Sequence, residues 1–176
     1  HLLNAELIFC TGCHMIRTEA FLKANPTRSI YPARRGQNWQ LLLPVYYHNK
    51  RGFLPQALYY YVSSPNSMSH DNGDIEKLLY RCDEHVDILQ HTISSINMKK
   101  DDAQKAERIV RGNYARKKLY IAGNNGRKEI AKAQYKILSD LNIANMRDRL
   151  QLFAAHSKVL RKLLAYRYRR DHWTNR

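Results

Sequence analysis

The spacing of apolar positions changes once along this chain, near residue 74. Before it, apolar and β-favouring residues run together over Ile8–Ile16 and predict a buried strand. Thr18 to Lys23 reads as a short helix with Thr18 as its N-cap, stopped at Asn25-Pro26 because the residue before a proline is driven out of the helical region. Tyr31 to Gly36 reads as a loop. Gln37 to Asn49 is predicted helical, with an interruption or kink near Pro44, whose ring removes a backbone donor. Phe53-Leu54 and Ala57 to Val62 predict one strand, or a bent pair about Pro55, in which Tyr60 faces away from Tyr59 and Tyr61. Ser63 to Gly73 is rich in Ser, Asn, Pro and Gly and reads as a loop.

Beyond Asp74 the period becomes helical. Ile75, Leu78, Leu79, Cys82, Val86 and Leu89 fall on one stripe, with Asp74 as N-cap, and predict a helix to about Ile96. A second helix is expected over Asp101–Ala122, with Ile109, Val110, Tyr114 and Leu119 as its contacts, and a turn at Gly123-Asn124-Asn125-Gly126. Arg127–Leu141 and Met146 to about Tyr168 predict two further helices or one bent helix, the two asparagines of Asn142–Asn145 favouring a break. The expected fold class is therefore α+β and mostly helical. Residues 1–73 form one region, and residues 74–176 form a basic α-helical C-terminal region.

Composition narrows the picture. A chain of 176 residues with 44% hydrophobic content can bury a core, which excludes wholesale disorder. No apolar run reaches the roughly 18 to 20 residues of a spanning helix. Cys10, Cys13 and Cys82 are too few, and oddly numbered, for a disulfide framework, so reduced thiols in a cytoplasmic setting are the simpler reading. The net charge of +15 is unevenly placed: +4 on residues 1–73 and +11 on residues 74–176. That excess implies an anionic partner or surface for the second half.

Three blocks carry the chemistry. The first is Thr11-Gly12-Cys13-His14-Met15-Ile16-Arg17. The second is Arg35-Gly36-Gln37-Asn38-Trp39-Gln40, opening an apolar run. In the third, Leu58-Tyr59-Tyr60-Tyr61 leads into the loop Ser67-Met68-Ser69-His70. In order and spacing they resemble the acceptor half of family 2 glycosyltransferases, the large inverting group with the GT-A fold. The resemblance covers residues 1–73 and implies a partial GT-A-like strand and helix segment followed by the helical extension. No Asp-x-Asp triplet precedes residue 73 and the chain opens at His1. A C-terminal portion of a longer transferase, inactive alone, is the resulting expectation.

What the resemblance implies residue by residue can be weighed against plainer roles. Gln37 and Asn38 stand where such enzymes place the catalytic turn, often with an Asp as base. Neither amide accepts a proton at neutral pH, so their implied task is to orient donor or acceptor by hydrogen bonds. The plainer role is an ordinary helix cap. Arg17 and Trp39 are implied at the sugar site; alternatively Arg17 caps a sheet edge and Trp39 is core. Ser67 and Ser69 are implied against the donor diphosphate, with His70 as a ligand to the Mg or Mn ion expected only in the intact enzyme. The alternative for all three is a polar loop. Val62 and Ser63 stand where the family often has a basic residue. The partners implied are a nucleotide-sugar donor and a glycan or lipid-linked acceptor.

Two further features stand outside the resemblance. Cys10-Thr11-Gly12-Cys13 supplies half a tetrahedral zinc site, but no second pair has recognisable spacing, which favours two small buried residues. Lys158, Arg161, Lys162, Arg167, Arg169 and Arg170 lie in a stretch without acids, beside Val159, Leu160, Leu163 and Leu164. This is the pattern of a helix lying on an anionic membrane surface, or of a solvated basic helix packed on its neighbours. It places the protein in the cytoplasm, with a peripheral position on the inner membrane face as the variant. A pI near 9.9 also raises nucleic acid, against which stand the interspersed acids and the lack of a recognised reader motif. The apolar stripes of residues 75–96 and 146–164 would equally serve a homodimer or another protein partner.

Overall fold

The computed structural model of the protein describes residues 13–60, 62 and 74–164. The described residues form helices only: α1 (Thr18–Ala24), α2 (Gln37–His48), α3 (Ile75–Ser95), α4 (Lys100–Asn125), α5 (Lys128–Asp140), α6 (Met146–His156) and α7 (158–164). The α+β expectation is thus corrected, because no strand or sheet occurs among them. Residues 13–16 of the first expected strand are not extended in a ladder, and residues 1–12 lie outside the described part. Residues 53–60 are irregular and open to solvent, with Phe53 85% and Tyr60 94% exposed. The physical reason is the dependence of β-structure on a neighbour. Aromatic and branched residues favour a strand by packing on a pleated, half-buried surface, and a segment with no partner ladder leaves its backbone to water.

Two compact units divide the chain: the described residues of His1–Gly73 with Asp83–Val110, and those of Asp74–Cys82 with Arg111–Arg176. In the first unit α1 packs on α2. Helix α2 buries Leu42, Leu43 and Val45, and the α3 residues Ile88, Leu89 and Ile93 are buried as well. α2 is continuous through Pro44, so of the interruption or kink expected there the interruption does not occur. Its C-terminal end is tied by Tyr47, whose hydroxyl donates to Asp102 Oδ2 (2.9 Å) and accepts from the Lys99 amide (3.0 Å).

The second unit has a core of small residues. Ala115, Leu119, Ala122, Ala131, Leu138 and Ala155 cluster, with Ile130, Tyr135 and Ile143 packed around them. A Cβ added at Gly123 would come within 2.6 Å of the Gln151 carbonyl oxygen, so glycine is what lets the backbones of α4 and α6 approach. The helix ends explain the connections. α4 runs past the predicted turn to Asn125 and stops at Gly126 (φ 70°), where Arg127 N–H donates to Ala122 O (2.9 Å) in a Schellman closure. α5 ends the same way at Asn142 (φ 53°), with Ile143 N–H on Leu138 O (3.0 Å). At the next start, Asn145 and Asp148 form a reciprocal capping box. The predicted helix 146–168 is instead divided at Ser157, whose extended backbone separates α6 from α7 and whose Oγ accepts from Leu160 N–H (3.2 Å).

Asp148 is fully buried (0% exposed). Its carboxylate accepts from Arg116 Nε (3.0 Å) and Nη2 (3.0 Å), while the same guanidinium donates to Ile143 O (2.7 Å). Removing one partner of such a pair strands a charge away from water. Arg116→Met is therefore expected to destabilise the second unit by about 3–5 kcal/mol, read as a lowered urea midpoint by circular dichroism. A loss within error of zero would show the pair to be dispensable.

Candidate functional site

The polar turn at the start of α2 is built from three local choices. Gly36 takes a left-handed conformation (φ 74°), and a Cβ there would lie 2.8 Å from Ile88 Cγ2 of α3, so only glycine lets the chain turn this close to its neighbour. Gln40, buried in the apolar face, clamps the incoming loop. Its Oε1 accepts from Tyr31 N–H (2.7 Å) and its Nε2 donates to Tyr31 O (3.0 Å). Gln37 is exposed and its Nε2 donates to Ala33 O (3.2 Å), while Asn38 is half-buried. Gly36, the N-cap residue, gives the first amides of α2 no side-chain cap bond.

Around this turn the α3 residues add rings and titratable groups. Trp39 is half-buried and meets His85 edge-on, with centroids 4.8 Å apart. Tyr31 stacks flat on His91 at 3.8 Å and 9°. A hydrogen bond from the Tyr31 hydroxyl to Asp87, reinforced by that carboxylate's charge, raises the phenol above its usual range. His91 Nδ1 lies 2.9 Å from Asp87 O and 3.4 Å from its Oδ1. Trp39 thus meets His85 of α3, and Tyr31, which Gln40 ties to α2, meets His91 and Asp87 of the same helix. Rings and a carboxylate of this kind, with the carboxamides of Gln37 and Asn38 next to Trp39 in sequence, are groups suited to a polyhydroxylated ligand with one apolar face.

Arg17 is not brought into this group by any contact of its side chain. It is exposed and serves as the N-cap residue of α1 through its backbone, its carbonyl accepting from Phe21 N–H (3.0 Å). That position was assigned to Thr18 on sequence grounds; Thr18 is the first helical residue. Ser67, Ser69 and His70 lie outside the described residues. Among the described residues no three His, Cys, Asp or Glu side chains converge to hold a metal. Cys13 is exposed rather than one of two small buried residues, and Cys10 lies outside the described part.

Sequence reasoning passed over Tyr31, Gln40, Asp87 and His91. The signal for Gln40 was present: a polar residue on the buried side of an otherwise apolar helix needs internal partners. Nothing comparable marked Tyr31 or His91, which meet only through the fold. Comparison with protein-family models, curated proteins and solved structures gives no match to this chain.

At the other end of α2, Tyr46 Oη lies 2.6 Å from His14 Nδ1, and Arg51 sits over the Tyr46 ring. Burial first, and then the Arg51 charge, holds His14 below its ordinary 6.5, while burial raises Tyr46. Both shifts keep the pair neutral, joined by the hydrogen bond between the phenol oxygen and the imidazole nitrogen. A depressed histidine makes the unfolded chain the better proton acceptor, so stability present above about pH 6.5 is lost as pH falls toward the depressed value. Melting temperature should drop between about pH 7.5 and about pH 5, and drop less in His14→Gln. Equal drops would remove His14 as the cause. Separately, Gln40→Ala leaves the Tyr31 backbone unsatisfied and should destabilise by about 1–3 kcal/mol, with faster amide exchange at Tyr31. Unchanged exchange would show that the loop is held elsewhere.

Proposed function

We propose that the chain is the acceptor-side portion of an inverting glycosyltransferase of the family 2 type, moving a sugar from a nucleotide-diphosphate donor to a glycan or lipid-linked acceptor. The observation that carries the reading is the turn at residues 36–40. Gly36 and Gln40 fix it against the first unit's core, and Gln37 and Asn38 stand in the first turn of α2 next to Trp39, whose ring meets His85. A helix start whose first amides carry no side-chain cap, with two carboxamides and an aromatic residue in its first turn, is equipment for holding a sugar in one orientation. The order of the three sequence blocks supports the same reading. No sheet enters it.

In this role Gln37 and Asn38 position hydroxyl groups and do not move a proton. Trp39 limits the sugar pocket through its ring edge. A divalent ion in the intact enzyme would stabilise the leaving diphosphate. Ser67, Ser69 and His70 keep their implied roles against the diphosphate and that ion, while Arg17, exposed at the start of α1, is left out of the sugar site. Nucleotide-sugar, glycan acceptor and a reducing, cytoplasmic location complete the proposal. Among the described residues no helix is long and apolar enough to cross a membrane.

The test uses the natural reading frame that encodes the chain, expressed whole and screened with nucleotide-sugars. Transfer is expected from the whole product and none from residues 1–176 alone. In the whole product, Gln37→Ala and Asn38→Ala should each lower kcat/KM by about tenfold, since one lost orienting hydrogen bond is worth about 1.4 kcal/mol, with an unchanged melting temperature. Turnover by the isolated chain, or full activity in both variants, would defeat the assignment.

A further inference from the structure

The second unit carries most of the charge, and the charge is not spread evenly. Its described residues hold fifteen Lys and Arg against five Asp and Glu. Over 146–164 the contrast is sharper. Five basic residues stand against one acid, Asp148, and that carboxylate is buried and spent on Arg116. Arg161 is also engaged, its Nη1 donating to Ala154 O (2.8 Å) and Ala155 O (3.1 Å) at the end of α6. Arg147, Arg149, Lys158 and Lys162 remain exposed, with no carboxylate of the same segment beside them.

The apolar residues of the same stretch are on the wrong side for a core. At 100° per residue, Met146, Leu150 and Phe153 fall on one stripe of α6. That stripe faces solvent, with Met146 70% and Phe153 50% exposed, while Asp148, Gln151, Ala154 and Ala155 of the opposite stripe are buried. In α7, Val159 and Leu163 repeat the pattern at 69% and 60% exposure, one position on from Lys158 and Lys162. Arg149 rests over the Phe153 ring at 5.9 Å, which sets a guanidinium at the edge of the ridge. Each helix therefore shows solvent a row of large apolar side chains flanked by cations.

We infer that α6 and α7 form a docking face for the surface of an anionic phospholipid bilayer. An occupant must satisfy two demands at once: negative charge for the flanking cations and an apolar layer for Met146, Leu150, Phe153, Val159 and Leu163. The headgroup and acyl boundary of an anionic leaflet supplies both within the depth of one side chain. Nucleic acid meets the first demand only, since its exposed backbone offers nothing for aliphatic side chains. The inference does not rest on the transferase reading. It differs from the sequence pattern of the basic tail in placing the apolar anchor on α6, well before that tail.

The full chain should pellet with phosphatidylcholine vesicles containing phosphatidylglycerol at least about tenfold more strongly than with phosphatidylcholine alone, and less so as salt rises. Leu150→Glu with Phe153→Glu should reduce binding about tenfold or more at an unchanged melting temperature, because both side chains are exposed. Val159→Glu with Leu163→Glu gives the same readout should the first pair disturb folding. Lys158→Ala with Lys162→Ala should weaken the preference for phosphatidylglycerol while sparing weak binding to neutral vesicles. Equal pelleting with both vesicles, no pelleting with either, or full binding by both glutamate pairs would overturn the inference. So would a dimer in light scattering that the glutamate variants dissolve, or binding of duplex DNA that the glutamate pairs leave intact and the lysine variant abolishes. Sugar transfer is not measured, so failure here leaves the assignment of the first unit standing.

Discussion

A carboxylate without access to water organises the second unit. Asp148 closes the N-terminus of α6 by accepting from the Asn145 amide, and it receives Arg116 from α4 along two hydrogen bonds. Arg116 in turn reaches the Ile143 carbonyl in the connection between α5 and α6. One ion pair thus fixes a helix start, the path of the preceding loop and the register of a third helix against both. The small-residue core forms where these constraints bring the helices, since alanine and glycine offer little side-chain volume to dictate spacing by themselves. Desolvation of Asp148 offsets much of the pair's attraction, so its net contribution to stability is smaller than the cost of removing one partner.

In the first unit the equivalent constraint is neutral. Gln40 spends both ends of its amide on the backbone of Tyr31, and Gly36 lets the intervening loop close against Ile88. Gln37 adds a bond from the exposed side of the turn, its Nε2 donating to Ala33 O, so the turn is held by carboxamides on both its buried and its open sides. Rigidity supplied from behind is what a positioning site requires.

How much of this could be read from the chain depended on how local the cause was. The helices from Asp74 onward were legible, because their stripes have a single period and their ends carry recognisable chemistry. Asp74 accepts from the Glu76 amide (3.0 Å) as an N-cap should, and the two asparagines between α5 and α6 do mark a break. Helix α4 overran its predicted end because a glycine can be the residue after a helix rather than the turn itself. Pro44 does not interrupt α2, although a proline inside a helix lacks the donor that would continue the ladder. The strands were misread for a deeper reason: strand formation is a property of pairs, and a tyrosine-rich segment says nothing about whether a partner exists. The turn of the candidate site was legible as a motif. Tyr31, Asp87 and His91 were not, since stacking across separate elements leaves no periodic trace.

The alanine-lined interior of the second unit has a consequence for how it can vary. In most protein cores, side chains are lost to damage by shrinking, as voids open where methyl groups once packed. Where Ala115, Ala122, Ala131 and Ala155 already supply the contacts, little remains to be trimmed. The costly direction is growth: enlarging one of these buried alanines forces neighbouring side chains off their rotamers or shifts the backbone that carries them.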